Sequence, residues 1–213
     1  MEQVYARAAQ SPLLDELWVA TDHQEVLEAC QKRKVPVLMT SDKHPSGTDR
    51  IYEVMTQRPA DIYANIQGDE PLVRPEHLAA LLAPFTQARG VQISTLKTKI
   101  SREAAQSPNV VKVVTDAEDA ALYFSRSSVP FDRDGSSDLP VYKHLGFYAY
   151  RAAALVKFHA LKPSPLELTE RLEQLRFLEN RIPIHVAETP FDTLGVDTEE
   201  DLRRAEELLT GSV

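Results

Sequence analysis

The segment D-I-Y-A-N-I-Q-G-D-E-P occupies residues 61–71 and places a polar turn directly after a short apolar strand. In open α/β sheets, ligands bind beyond the carboxyl ends of the strands. Acids at such an edge suit Mg²⁺, which takes oxygen ligands and usually keeps substrate phosphates as further partners. Asp, Gly and Pro are equally ordinary in a turn that leads into a helix. The segment alone therefore leaves two interpretations open, a metal site and a simple turn.

Apolar runs and helical patterns alternate on both sides of this segment. Short runs typical of buried strands lie at residues 17–21, 35–39, 61–64 and 91–96. Three further strands, at residues 110–114, 121–125 and 142–150, have only loops between them, which predicts hairpins or a mixed sheet. Residues 166–178 predict one amphipathic helix. The pattern predicts an α/β protein, a layered fold around a mostly parallel mixed central sheet, in a single domain over residues 1–213.

The composition narrows the class of protein. A chain of 213 residues with 43% hydrophobic and 26% charged residues is ordinary for a globular domain. Its net charge of -8 argues against nucleic-acid binding, because phosphate backbones are bound by basic surfaces. Cys30 is the only cysteine, which excludes a disulfide framework. No run approaches the roughly 18–20 apolar residues of a membrane span, and no signal-peptide pattern opens the chain, so we expect a cytoplasmic protein.

A second acidic candidate, Asp197, lies in the segment L-G-V-D-T. Thr198 and Asp201 have the spacing of a helix capping box, and Asp197 would then only support the start of that helix. Paired with Asp69, it would instead supply the second carboxylate of a Mg²⁺–phosphate site, since such sites are assembled from separate loops. Local spacing leaves both interpretations open.

The segment H-P-S-G-T-D-R at residues 44–50 follows a predicted strand and opens a helix. The hydroxyls, Gly47 and the helix N-terminus suit a polar ligand, and Arg50 adds a planar set of donors. A plain cap by Ser46 or Thr48 with a surface arginine fits the same residues equally well.

Three other polar groups stand at the ends or on one face of predicted elements. Alternation along a strand places His144 and Tyr148 on one face of the sheet. There they could bind a polyhydroxylated or carboxylate substrate, or they could simply form hydrogen bonds on a half-buried sheet surface. Arg126 ends another strand, where it suits an anion or simply lies at the surface. Glu167 starts a helix, where it either favours the helix dipole or reaches a sugar hydroxyl.

Together these segments resemble one family. Nine motifs occur in order: A-T-D-H at 20–23, H-P-S-G-T-D-R at 44–50, N-I-Q-G-D-E-P at 65–71, P-N-V-V-K-V-V at 108–114, A-L-Y-F-S-R at 121–126, H-L-G-F-Y-A-Y-R at 144–151, S-P-L-E at 164–167, L-E-Q-L-R at 172–176 and G-V-D-T at 195–198. Over essentially all its residues the chain is similar to the 3-deoxy-manno-octulosonate (Kdo) cytidylyltransferases.

The resemblance implies the reaction CTP + Kdo → CMP-Kdo + pyrophosphate, which serves lipopolysaccharide biosynthesis. It also implies a nucleotide-diphospho-sugar transferase-like (Rossmann-like) fold and a cytoplasmic, Mg²⁺-dependent homodimer. Carried over by motif, Asp69 and Asp197 would be the catalytic carboxylates that bind Mg²⁺. The remaining expected roles are nucleotide binding by Ser46, Gly47 and Arg50, and Kdo binding by Gln67, Arg126, His144, Tyr148 and Glu167. Arg126 suits the Kdo carboxylate in particular.

The resemblance is not complete at the start of the chain. Family members begin with a strand and a triphosphate-binding loop of the form P-A-R-x-x-S-x-R-L-P-G-K-P-L, whereas Met1 falls in the following helix. We therefore expect a domain that is N-terminally incomplete relative to the family, with an exposed central sheet edge. Two alternatives follow: a cytidylyltransferase for another acidic sugar such as sialic acid, and a non-catalytic remnant. The motifs P-N-V-V-K-V-V and S-P-L-E favour Kdo.

Overall fold

The computed structural model describes residues 1–88, 90–135 and 138–211. The strands are β1 (Val19–Thr21), β2 (Val37–Met39), β3 (Ile62–Asn65), β4 (Ile93–Ile100), β5 (Lys112–Thr115), β6 (Ala121–Ser125), β7 (Val141–Arg151) and β8 (His185–Glu188). The helices are α1 (Glu2–Ala8), α2 (Gln24–Lys32), α3 (Gly47–Gln57), α4 (Pro75–Leu82), α5 (Pro84–Gln87), α6 (Ala152–Ala160), α7 (Pro165–Glu170), α8 (Leu175–Glu179) and α9 (Glu199–Thr210). Within these ranges, no helix combines the length and apolarity that crossing a membrane requires.

The main sheet is built around β7. This strand pairs antiparallel with β4 along one edge and with β3 and β5 along the other. Strand β8 pairs parallel with β4, and β6 pairs antiparallel with β5. The mixed sheet is confirmed, but "mostly parallel" is wrong for its ladders: although β3, β4, β5 and β8 share one direction, β7 runs against its three neighbours. Strands β1 and β2 form a separate parallel pair.

The two faces of the main sheet carry separate cores. Helices α1 and α4 cover one face, where Leu78 and Leu81 pack with Leu145 and Phe147. Helices α6 and α8 cover the other face, around a cluster that includes Tyr150, Phe158 and Phe177. Because each strand alternates its side chains between the two faces, β7 contributes to both cores. The predicted layered α/β architecture is confirmed.

The region predicted as one helix at residues 166–178 is two short helices, α7 and α8. Arg171 adopts a left-handed conformation with φ of 56° and ends α7. Leu172 and Leu175 are buried, whereas Leu168 is 59% exposed. The apolar spacing therefore reported which leucines reach the core, but it carried no information on the continuity of the backbone.

Candidate functional site

The N-terminus of α3 lies against the carboxyl end of β3. Ser46 caps the helix: its hydroxyl accepts from the Asp49 amide at 3.2 Å and donates to the Asp49 carboxylate at 2.8 Å. A Cβ on Gly47 would lie 3.5 Å from Asn65 Nδ2 and 3.6 Å from Gln67 Nε2. Both distances are ordinary van der Waals contacts, so the helix start at Gly47 lies directly beside the end of the strand. The structure thus brings two of the predicted segments together.

Thr48 connects this helix start to the core of β7. Its hydroxyl lies 3.2 Å from Tyr150 Oη and donates to Glu173 Oε1 at 2.9 Å. The Tyr150 ring is stacked with Tyr148, their centroids 5.6 Å apart. Burial raises the pKa of the Glu173 carboxyl, and hydrogen bonds from Thr48 partly oppose that shift. A half-buried carboxyl group therefore stands between the helix start and the tyrosine pair.

His144 and Tyr148 share a face of β7, as predicted, with ring centroids 5.4 Å apart. The register of β4 and β7 shifts beside Thr95, and the Thr95 hydroxyl donates to Phe147 O at 2.7 Å across this irregularity. That hydroxyl has one proton, so it accepts from His144 Nε2, which lies 3.0 Å away. Burial lowers the pKa of His144 to about 3. His144 is therefore a neutral imidazole protonated at Nε2, and its Nδ1 is an acceptor.

Several buried polar atoms around these rings lack a partner among the described residues. They include Asn65 Nδ2, Tyr148 Oη and Gln174 Nε2. Asn65 and Tyr148 are cross-strand neighbours in the β3–β7 ladder. Buried polar groups are normally hydrogen-bonded, so these three atoms have free capacity for a polar ligand or water.

Glu173, Gln174 and Asn65 were not among the predicted site residues. The signal was present, because Glu173 and Gln174 lie in the motif L-E-Q-L-R and Asn65 opens N-I-Q-G-D-E-P. The signal was missed because residues 166–178 were predicted as one helix. A continuous helix gives no reason for Glu173 and Gln174 to face the sheet, whereas in the structure they lie in the turn between α7 and α8.

Arg126 is held at the end of β6 by hydrogen bonds to the Glu170 carboxylate and to two backbone carbonyls. Its amide donates to Glu170 Oε2 at 2.9 Å, and its Nε donates to Glu170 O at 2.8 Å. Its Nη1 donates to Pro108 O at 3.1 Å. No partner occupies Nη2 in the described part of the chain. Arg126 is thus a half-buried, oriented guanidinium with donor capacity left for an anion.

Arg50 joins α3 to the small β1–β2 sheet. Its Nη2 donates to Asp22 Oδ2 at 2.8 Å and its Nη1 to Thr40 Oγ1 at 2.5 Å. The bond from Arg50 lowers the pKa of the Asp22 carboxyl. Beside Arg50 runs a groove of about 390 Å³, lined by residues 17–21 and 64–68 together with residues of α1 and α3. Among the described residues, the two sheets make no ladder with each other across this groove.

The loops that carry Asp69 and Asp197 are tied together. Val196 N donates to Asp69 O at 2.9 Å, and the Thr193 hydroxyl donates to the Glu70 carboxylate. The side chains of Asp69 and Asp197 are exposed. Within the described ranges, neither carboxylate has a hydrogen-bond partner. The structure thus holds the two backbones as neighbours and leaves both carboxylates open to solvent.

The described residues contain no cluster of three or more His, Cys, Asp or Glu side chains that could hold a metal ion. Such a cluster is not what Mg²⁺ requires, because this ion is commonly bound through one or two carboxylates together with substrate phosphates and waters. Two solvent-facing carboxylates on tied loops fit a Mg²⁺ ion that arrives with a nucleotide.

Glu167 has its carboxylate oxygens engaged within the protein. Arg176 Nε donates to Glu167 Oε2 at 2.8 Å, and Arg176 Nη2 donates to Oε1. Ser164 N also donates to Oε2, at 2.9 Å, which completes a capping box at the start of α7. The helix-start interpretation fits this geometry, and the sugar contact stays a prediction.

A scan against known families matches residues 1–184 to the family described as Cytidylyltransferase. The chain is 54% identical to the 3-deoxy-manno-octulosonate cytidylyltransferase of Koribacter versatilis, over 98% of this chain and 79% of that protein. It is 46% identical to the protein of the same name from Solibacter usitatus, over 100% of this chain and 85% of that protein.

Solved structures of nucleotidyltransferases are also similar to this chain. A CMP:2-keto-3-deoxy-manno-octonic acid synthetase in complex with CTP superposes with a TM-score of 0.94 at 40% identity, covering 100% of this chain and 88% of that one. A glucose-1-phosphate thymidylyltransferase from Bacillus anthracis reaches a TM-score of 0.65 at 14% identity, over 97% of this chain and 81% of that one. The second likeness supports the nucleotide-diphospho-sugar transferase fold alone.

Proposed function

Because the chain belongs to the cytidylyltransferase family, we propose that it transfers CMP from CTP to Kdo, with release of pyrophosphate, for lipopolysaccharide biosynthesis. One observation carries the proposal beyond the sequence likeness. The helix start at Gly47, expected to bind nucleotide, lies against Gln67, expected to contact the sugar. A transfer between two substrates requires that their two sites adjoin in this way.

The reaction forms a bond between the anomeric hydroxyl oxygen of Kdo and the α-phosphorus of CTP. The bond from that phosphorus to the β-phosphate oxygen breaks, pyrophosphate leaves, and the hydroxyl proton passes to solvent. Such transfers depend on positioning and charge stabilisation rather than on a covalent protein nucleophile. The half-buried Glu173 carboxyl and the neutral His144 imidazole are consistent with a site that positions hydroxyl groups.

On the nucleotide side, we propose that Ser46, Gly47 and Arg50 bind the cytidine nucleotide. The N-terminus of α3 offers backbone N–H groups and the positive end of its dipole. Arg50 would act mainly by holding this helix to the β1–β2 sheet, because each of its terminal nitrogens donates to that sheet's surroundings, Nη2 to Asp22 and Nη1 to Thr40.

On the sugar side, we propose that Gln67, Arg126, His144 and Tyr148 contact Kdo, with Arg126 Nη2 at the carboxylate. Glu167 is the weakest member of the predicted set, because Arg176 engages both of its oxygens. Glu173 and Gln174 are better placed, since Glu173 already contacts Thr48 and Gln174 Nε2 has no partner among the described residues.

Mg²⁺ is the cofactor in this proposal, and Asp69 and Asp197 would hold it. When bound, the ion would neutralise phosphate charge and help orient the triphosphate. The protein's own contribution is the tie between the two loops, which holds the backbones of Asp69 and Val196 together.

The remaining family properties are part of the same proposal. We place the reaction in the cytoplasm and expect a homodimer; the exposed apolar side chains of Leu122 and Phe131 are consistent with a protein interface.

The groove between residues 17–21 and 64–68 is bounded by two strand edges, which suits one added strand. We propose that an extended segment fills it and carries the phosphate-binding groups that the resemblance implies.

The test is a pyrophosphate-release assay with CTP, Mg²⁺ and Kdo. It is run on the 213-residue chain and on a chimera in which the upstream strand and loop of a family member precede Met1. We expect Kdo-dependent release, higher in the chimera. Release with sialic acid but not with Kdo would establish the alternative substrate. No release from either protein, despite native folding, would favour the non-catalytic alternative.

A further inference from the structure

Lys112 is a buried lysine whose partners are all backbone carbonyls. It lies at the start of β5 and is 0% exposed. Its Nζ donates to Ser107 O at 2.9 Å, to Val110 O at 2.6 Å and to Arg126 O at 2.5 Å. An ammonium group has three N–H donors, so these three carbonyls use all of them. Burial lowers the pKa of Lys112.

The three carbonyls belong to two chain segments that both contact or contain Arg126. Arg126 O is the backbone of the arginine expected at the carboxylate, and Pro108 O, in the same loop as Ser107 and Val110, accepts from Arg126 Nη1. Val111 O, beside Lys112, accepts from His144 N at 2.8 Å. Lys112 therefore stands where the loop at 107–111, the end of β6 and the strand β7 converge.

We propose that Lys112 is a positioning residue for sugar-acid recognition: by tying the loop at 107–110 to the end of β6, it fixes the guanidinium of Arg126. This inference rests on the proposed function. The simpler role would be to stabilise the β5–β6 hairpin, and the chain contains a matched control for that role. Lys97 is 3% exposed, and its Nζ donates to Thr115 and Asp119 at the turn end of the same hairpin.

The experiment is a calorimetric titration of Kdo into the full chain in the presence of Mg²⁺ and a non-reactive CTP analogue. It compares the wild type with Lys112→Met, Lys97→Met, Arg126→Ala and the double variant Lys112→Met/Arg126→Ala. We expect Lys112→Met to weaken Kdo binding about ten-fold, because a small displacement of a recognition group is costly, and to leave analogue binding unchanged. Lys97→Met should change neither affinity.

The double variant separates positioning from general stability. If Lys112 acts through Arg126, the double variant binds Kdo no more weakly than Arg126→Ala, because contacting residues in one network are not additive. Independent, additive losses would overturn the proposal, as would wild-type affinity in Lys112→Met. If Lys112→Met does not fold, Lys112→Gln takes its place in the titration, because the Gln amide has only two N–H donors and cannot bond all three carbonyls. Kdo binding as tight as the wild type's in that variant would overturn the proposal. Failure of the wild type to bind Kdo would instead refute the proposed function, and the role of Lys112 with it.

Discussion

The two ends of the candidate cleft are built in different ways. On the proposed sugar side, His144 and Tyr148 are 8% and 4% exposed and sit on the long strand β7. On the proposed metal side, Asp69 and Asp197 are exposed and lie on loops. Side chains locked by packing on strands are positioned more precisely than side chains on loops. In the proposed function, this contrast means that the protein preforms the site for the sugar, whereas the nucleotide and its metal ion complete the other end.

The largest expected effect is a loss of activity when an exposed carboxylate is changed. Asp69→Asn removes a charge proposed to bind Mg²⁺, and we expect kcat/KM for pyrophosphate release to fall on the order of 10²–10³-fold. The free energy of unfolding should change by less than about 0.5 kcal/mol, because the carboxylate is exposed and has no partner among the described residues. Asp61→Asn, also exposed and at the start of the same segment, is the control and should change neither quantity. If Asp69→Asn lost stability in parallel with activity, the Asp69 carboxylate would serve the fold, and the contrast between the buried and the exposed end of the cleft would not hold.

The next largest expected effect is a pH-dependent change in stability that comes from the buried His144. The pKa of His144 is about 3 in the folded protein and near 6.5 in the unfolded chain. Between these values the unfolded state binds more protons, so stability falls as the pH falls below 6.5. The fall is up to about 1.4 kcal/mol per pH unit.

His144→Gln retains a donor for Thr95 but does not titrate. Urea unfolding at pH 7 and pH 5 should therefore show a smaller acid-induced loss of stability in the variant than in the wild type. Equal losses in the two proteins would mean that His144 is not held neutral, and that the sugar side is less enclosed than the structure indicates.

The smallest effect comes from a pair of tyrosines. Tyr148→Phe removes a hydroxyl that has no partner among the described residues, so it should leave stability unchanged and weaken Kdo binding, seen as a rise in KM of about ten-fold. Tyr150→Phe removes a hydroxyl bonded to Thr48, so it should lower the free energy of unfolding by about 1 kcal/mol. A stability loss in Tyr148→Phe without a change in KM would show that this hydroxyl serves the fold.

The sequence predicted most of the fold because local patterns determined it. The alternation of apolar runs gave the strands, and alternation within β7 placed His144 and Tyr148 on one face. The break at Arg171 was missed because an arginine, and not a glycine, adopts the left-handed conformation there, with φ of 56°, and no proline marks the end of the helix. The pairing of the strands was misjudged, because β7 runs antiparallel to three neighbours that themselves share one direction.

The site was harder to predict than the fold. Motifs indicated which segments meet, but they could not reveal how side-chain bonds are distributed. Glu167 and Glu173 are both acids close to the α7–α8 turn. Only the structure shows that Arg176 binds the first and that Thr48 brings the second to the helix start. Likewise, nothing in the motif P-N-V-V-K-V-V indicates that Lys112 would bind three carbonyls rather than solvent.

The most direct test of the central claim follows an oxygen atom. Kdo with an isotope label in its anomeric hydroxyl is incubated with CTP and Mg²⁺, with the chain and with its chimera, and the products are analysed by mass spectrometry. If the sugar hydroxyl attacks the α-phosphorus, the label appears in CMP-Kdo and pyrophosphate is unlabelled. CMP-Kdo without the label would contradict that attack, and the absence of any CMP-Kdo would contradict the transfer itself.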